Sequence, residues 1–130
     1  MSNWFELSKH ESLESLRNIA KDCRIPYKIE KIDQLGYLLL VLIDRANDPN
    51  EKEDRKGNAI YMLSVFLGEK IIQKTGGQWE EPVEETDYQI TLANGNIIHP
   101  FDKVEKFMDN GMSDSLLAYY KTVTMLSKRN

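Results

Sequence analysis

A single cysteine, Cys23, in a chain of 130 residues excludes an intrachain disulfide and favours a reducing compartment. The simplest reading of Cys23 is a small buried hydrophobe rather than a reactive thiol. One cysteine and two histidines are also too few for a dedicated zinc site. Long apolar runs are missing too. The longest, Leu38 to Ile43, falls far short of the roughly 20 residues that span a bilayer. The first residues, MSNWFELSKHESLESLR, place acids early and supply no apolar core for a signal peptide. A cytoplasmic protein with no membrane partner is the expectation. Motifs of chemistry are absent as well: there is no G-x-x-x-x-G-K-[ST], no G-x-S-x-G and no H-E-x-x-H.

Cations are absent from one long stretch. The net charge is −4, yet residues 1–77 hold twelve acids and twelve bases and are neutral. The whole deficit lies in 78–130, and within 78–102 there are six acids and no lysine or arginine. Such a segment repels phosphate backbones, which argues against nucleic acid as a partner. It attracts a basic protein surface. Glu80, Glu81, Glu84, Glu85 and Asp87 make up its core. A solvated acidic face is the bland reading, and their spacing matches no calcium loop.

What is present defines a core. With 41% hydrophobic and 29% charged residues, a chain of this length folds as one domain, taken here as 1–130. Ser8 followed by Glu11 predicts a capping box, and Leu13, Leu16, Ile19 and Ala20 predict a helix over about Lys9 to Cys23. Pro26 ends it or begins the next segment. Asp33 is the expected N-cap of a second helix reaching about Ala46. That helix is apolar almost all round, which predicts a central, buried position; a strand over Leu38 to Ile43 is the rival. NDPNEKEDRKGN, rich in Asn, Asp, Pro and charge, reads as a solvated loop with some helix at its end.

The clearest helix follows. Ile60, Leu63, Leu67 and Ile71 form its stripe, widened by Met62 and Phe66. Gly68 interrupts it at a cost of about 1 kcal/mol relative to alanine, tolerable where another element crosses close to the backbone. Gly76 suits the left-handed residue that closes a helix, Gly77 lets the chain turn, and Trp79 folds back onto the helix just ended. A phosphate cradle would need the glycines before a helix N-terminus, not after a C-terminus.

The period then changes. Tyr88, Ile90 and Leu92 alternate with polar residues, and Asn94-Gly95 predicts a hairpin with a type I′ turn. Gln78 to Val83 supplies a third strand, confined to an edge by Pro82. Pro100 opens a short helix with Val104, Phe107 and Met108 inward, closed by Asn110-Gly111. Ser113 is the expected N-cap of a last helix carrying Leu116, Tyr119 or Tyr120, and Val123. The fold class is therefore α+β: a helical layer on a small antiparallel sheet of two or three strands, with the two long helices and the terminal helix over one sheet face.

Several side chains carry a functional and a structural reading at once. Glu69 is either an acid or base in a pocket or a solvent-facing carboxylate that bonds a cap. His99, with Asp102 and Glu105, lies at a strand-to-helix turn and is more simply a strand-end or capping residue. Trp79, Tyr88 and Phe101 form an aromatic recognition surface or, better, part of the core. Of Tyr119 and Tyr120, one ring points inward and one outward, and the outer one, assigned to Tyr120, anchors a partner.

FLGEKIIQKTGGQW, ITLANGNIIHPFDKV and DSLLAYY together resemble a family of small bacterial domains of unknown function. These share an L-G-E helix, a G-G-x-W exit, a hairpin and a P-F-x-x-V helix start. The resemblance covers about Ile60 to Tyr120 and none of the first fifty residues. The matching positions are Gly68, Glu69, Gly76, Gly77, Trp79, Pro100, Phe101 and Val104. It implies a structural motif, no catalytic residue and no cofactor. By analogy with small proteins found beside bacterial toxins, it implies an immunity or accessory protein. The leading expectation is a non-enzymatic binder of a basic protein partner. A small-molecule binder or enzyme with a pocket near Glu69 and His99 is the second, and a homo-oligomer, a homodimer above all, is the third.

Overall fold

The computed structural model describes residues 3–80 and 88–127. Five helices and three short strands follow one another in the order α1 (Asn3–Asp22), α2 (Ile32–Asp44), α3 (Pro49–Thr75), β1 (Gln78–Trp79), β2 (Ile90–Thr91), β3 (Ile97–Ile98), α4 (Pro100–Asn110) and α5 (Leu116–Ser127). The fold is α+β, as the change of period after Gly77 implies. Among the described residues no helix is long and apolar enough to cross a membrane.

The central element is α3, which packs against α1, α2, α4 and α5. At 27 residues it is about 40 Å long. It begins at Pro49, because Asp48 accepts a hydrogen bond from the Asn50 amide at 3.0 Å and Pro49 fills a first-turn position that needs no N–H donor. From Pro49 on, the stretch expected as a loop is therefore the first turns of the helix. Its charges pair along the surface, as in Glu51–Arg55, and Arg55 also donates to the Leu42 carbonyl at 2.6 Å. Leu63, Phe66, Leu67 and Ile71 are buried as the stripe requires, while Ile60 and Met62 are half-buried.

Several expectations are corrected. Helix α1 starts at Asn3, so Ser8 and Glu11 lie inside it and form no capping box. Ser8 instead donates to the Tyr61 phenol at 2.6 Å. Helix α2 is not the buried centre, since Tyr37 and Val41 are exposed, and α3 takes that place by its length. Asp33 does not cap α2 either. Its two oxygens accept from the Ser115 hydroxyl at 2.6 Å and the Leu116 amide at 2.8 Å, so it caps α5 across the fold. The N-cap of α5 is accordingly Ser115, which accepts from the Ala118 amide, and not Ser113, which sits in a 3-10 turn over Gly111–Asp114. At the end of α1, Arg24 takes the left-handed conformation (φ 59°) and the Ile25 amide bonds back to the Ala20 carbonyl. Cys23 beside it is exposed rather than buried, because the helix end faces solvent.

Helix α3 stops at Gly76, whose φ of 75° is left-handed. The Gly76 amide donates to the Ile72 carbonyl and the Gly77 amide to Thr75 Oγ1. Both amides are thus bonded within the helix end, where the dipole is negative and unsuited to an anion. The chain then enters a three-stranded antiparallel sheet of order β1-β2-β3. Trp79 pairs with Ile90 and Ile90 with Ile98, making the inner row; Gln78, Thr91 and Ile97 make the outer row. The turn is not type I′. The Gly95 amide donates to the Leu92 carbonyl and the Leu92 amide to the Asn96 carbonyl, while only Gly95 (φ 90°) has positive φ. This is a three-residue loop, with the Asn94 side chain accepting from the Asn96 amide at 2.9 Å. Pro82 and Val83 lie outside the described residues.

Candidate functional site

Trp79 closes over α3 at Gly68. A methyl group at position 68 would overlap the indole Cζ2 and Cη2 and crowd the Ile90 side chain. The indole N–H then donates to Glu69 Oε2 at 2.9 Å. Glu69 faces Lys9 Nζ at 4.0 Å, and the same ammonium pairs with Glu6 at 3.0 Å. Lys9 holds a stripe position of α1 between Phe5 and Leu16, and its side chain is only 7% exposed. Its stem packs on the core while the nitrogen lies 4.9 Å from the Phe5 ring and 5.8 Å from that of Trp79. Glu69 therefore holds an indole and a buried cation. Lys9 escaped the pattern reading because a lysine is expected outside, and the partnership of Glu69 with Trp79 spans a helix end that no local spacing encodes.

Phe5, Tyr61, Trp79, Tyr88 and Phe101 form one aromatic cluster. Tyr88 stacks on Phe101 with ring centroids 4.5 Å apart, Phe5 meets Trp79 edge-on at 5.6 Å, and Tyr61 meets Phe101 at 5.6 Å. Trp79 and Tyr88 are buried, so the cluster is core rather than recognition surface. Pro100 opens α4 at its first turn, as expected, and Phe101 is half-buried in the cluster. Burial pushes the Tyr61 phenol above its usual range, against the bonds it makes with Ser8 and Tyr88.

The remaining candidates are dispersed. His99 is exposed at the N-cap of α4 and makes no side-chain capping bond. Tyr119 and Tyr120 are both half-buried against the core, so neither ring stands free, which corrects the outward placement of Tyr120. Glu80 is exposed just past β1, where its side chain accepts from the Thr91 hydroxyl and its amide donates to the Gln89 carbonyl. Glu81, Glu84, Glu85 and Asp87 lie outside the described residues. Among the described residues no three His, Cys, Asp or Glu side chains converge as a metal site would require.

Two surface clefts share the wall formed by Gly57 and Tyr61 on α3. The larger, about 570 Å³, opens between α1 and α3 and is lined by Glu11, Ser12, Ser15 and Asn58. The smaller, about 230 Å³, is bounded by Tyr88, Phe101, Asp102 and Glu105. Neither is lined by Glu69 or His99. The serines were legible as polar positions of α1. That they face Gly57 was not, because the start of α3 reads as loop.

No protein-family model, curated protein or solved structure matches this chain.

Proposed function

We propose that the protein is a non-enzymatic protein-binding module that engages a basic surface through the acidic residues from Glu80 to Asp87. The observation that carries this is the run of six acids without a single lysine or arginine in 78–102. Glu80, at the head of that run, is exposed beside an edge strand. The resemblance of its glycine, tryptophan and hairpin motifs to small bacterial domains supports an immunity or accessory role. The alternative, a small-molecule site near Glu69 and His99, loses support from the commitment of Glu69 to Trp79 and Lys9.

A pull-down from the source cells tests the proposal. The comparison is between the natural chain and a variant carrying Glu80→Lys, Glu81→Lys, Glu84→Lys and Glu85→Lys. The partner is expected to be lost from the variant and to elute from the natural chain at roughly 0.3 M salt, where exposed charges are screened. Equal recovery on both baits sinks the acidic-surface reading. Sedimentation at several concentrations, run alongside, separates a monomeric binder from a homodimer.

A further inference from the structure

Three glycines stand inside helices, and two of them are explained by what lies on them. The Phe107 ring occupies the space beside Gly36, and the Trp79 ring that beside Gly68. Each glycine costs its helix about 1 kcal/mol, offset by an aromatic ring seated on the backbone. Gly57 of α3 carries the same cost, is exposed, and has nothing among the described residues within 4 Å of where a Cβ would be. It sits where the two clefts meet.

The walls on either side of it carry one sign of charge. Glu11 lines the larger cleft, and Asp102 and Glu105 line the smaller. Among the described residues no lysine or arginine lines either. The adjacent Lys56 faces Asp109 at 3.5 Å, and Lys103 of α4 holds Asp114 at 2.9 Å. Tyr61, the other shared wall, is fixed by the Ser8 hydroxyl at 2.6 Å and by edge contacts with Tyr88 and Phe101. The Tyr61 ring is therefore already in place, and little ordering of that wall opposes binding.

We propose that this surface, with Gly57 at its centre, is the docking site for a basic segment of a protein partner. The segment crosses the bare backbone at Gly57 and sets a lysine or arginine in each cleft. Its aliphatic stems lie on the half-buried Met62 and Phe101, and its cations meet Glu11 on one side and Asp102 and Glu105 on the other. A second copy of this chain, at net charge −4, has the wrong sign for the role. The inference rests on the protein-binding reading above and adds Glu11, Asp102 and Glu105 to the acids that meet the partner.

The experiment titrates isotope-labelled protein with a lysine peptide of about ten residues and, as control, a Gly/Ser peptide of equal length, reading amide shifts at low salt. Shifts at Ser12, Gly57, Asn58 and Glu105 are expected with the lysine peptide alone. Gly57→Leu fills the junction without changing charge. It is expected to weaken binding about tenfold while the thermal midpoint holds or rises. A second variant replaces Glu80, Glu81, Glu84 and Glu85 with glutamine. If the shifts confine themselves to the neighbourhood of that segment and Gly57→Leu binds normally, the Gly57 surface is refuted and the acidic-segment reading stands. If neither surface responds to the peptide, both fall.

Discussion

The indole of Trp79 occupies the space that a side chain at position 68 would need, and it is held there by its bond to Glu69. The glycine, the glutamate one residue on and the tryptophan after the helix stop form one device. The glycine lets the ring approach, the ring covers the helix backbone, and the carboxylate satisfies the only polar atom the ring carries. This joins the sheet to α3, because Ile90 of β2 touches the same glycine.

Gly68 and Gly57 should therefore respond in opposite directions to alanine. Gly68→Ala gains helix propensity but forces the Trp79 ring aside, with an expected net loss of about 1–3 kcal/mol. Gly57→Ala meets open space and should gain about 0.5–1 kcal/mol. Urea denaturation of the two variants measures both. A Gly68→Ala variant as stable as the natural chain would show that the ring is not held against the helix.

Removing the carboxylate at 69 should be felt by two partners. Glu69→Ala leaves the Trp79 N–H and the buried Lys9 short of an acceptor, for an expected loss of about 1–3 kcal/mol. Glu69→Gln keeps an acceptor for the indole and should lose less. Lys9→Met retains the apolar stem and should be close to neutral, whereas Lys9→Ala also forfeits packing. Chemical denaturation followed by tryptophan fluorescence ranks the four. The scheme fails if Glu69→Ala is no worse than Glu69→Gln.

The pattern of what was legible follows from range. The stop at Gly76, the hairpin at Gly95 and the Pro100 helix start are local signals, and each is found where its residues place it. Asp48-Pro49 is also local, an N-cap followed by a first-turn proline, but it is masked by the charges after it, which look like a solvated loop. Ser8 and Glu11 imitate a capping box because its spacing also occurs inside helices. The contacts that organise the candidate site link distant parts of the chain: Ser8 to Tyr61, Lys9 to Glu69, and the Gly57 junction to Asp102. A periodicity carries no information about those. Charge composition did point to an acidic segment, because counting needs no structure.

Asp33 gives the sharpest example of a role only the fold reveals, and it should be measurable. By accepting from Ser115 and Leu116 it ties the start of α2 to the start of α5, 82 and 83 residues away. Asp33→Ala should cost about 1–2 kcal/mol, the scale of a lost helix cap, and Asp33→Asn about half of that. Hydrogen exchange should show the first turn of α5 opening before the rest of the molecule. Uniform destabilisation with no local opening would assign Asp33 a different role.

Alkaline pH should unfold the protein through its half-buried phenols. Burial raises Tyr27, Tyr61 and Tyr119 above their ordinary value of 10.0; the Arg17 guanidinium opposes the shift at Tyr27, and Asp102 adds to it at Tyr119. A group whose folded value lies above its unfolded one contributes stability that is complete below the unfolded value. That contribution is lost as pH rises through the folded value, because the unfolded chain releases its proton first. Stability should thus be level on account of these groups up to about pH 10 and fall above it. Tyrosinate absorbance should rise in step with loss of helix by circular dichroism. Replacing all three with phenylalanine should flatten the decline, although Tyr61→Phe also removes the acceptor of the Ser8 hydrogen bond and lowers stability at neutral pH by about 1 kcal/mol. The same slope above pH 10 in the triple variant would place the alkaline transition elsewhere.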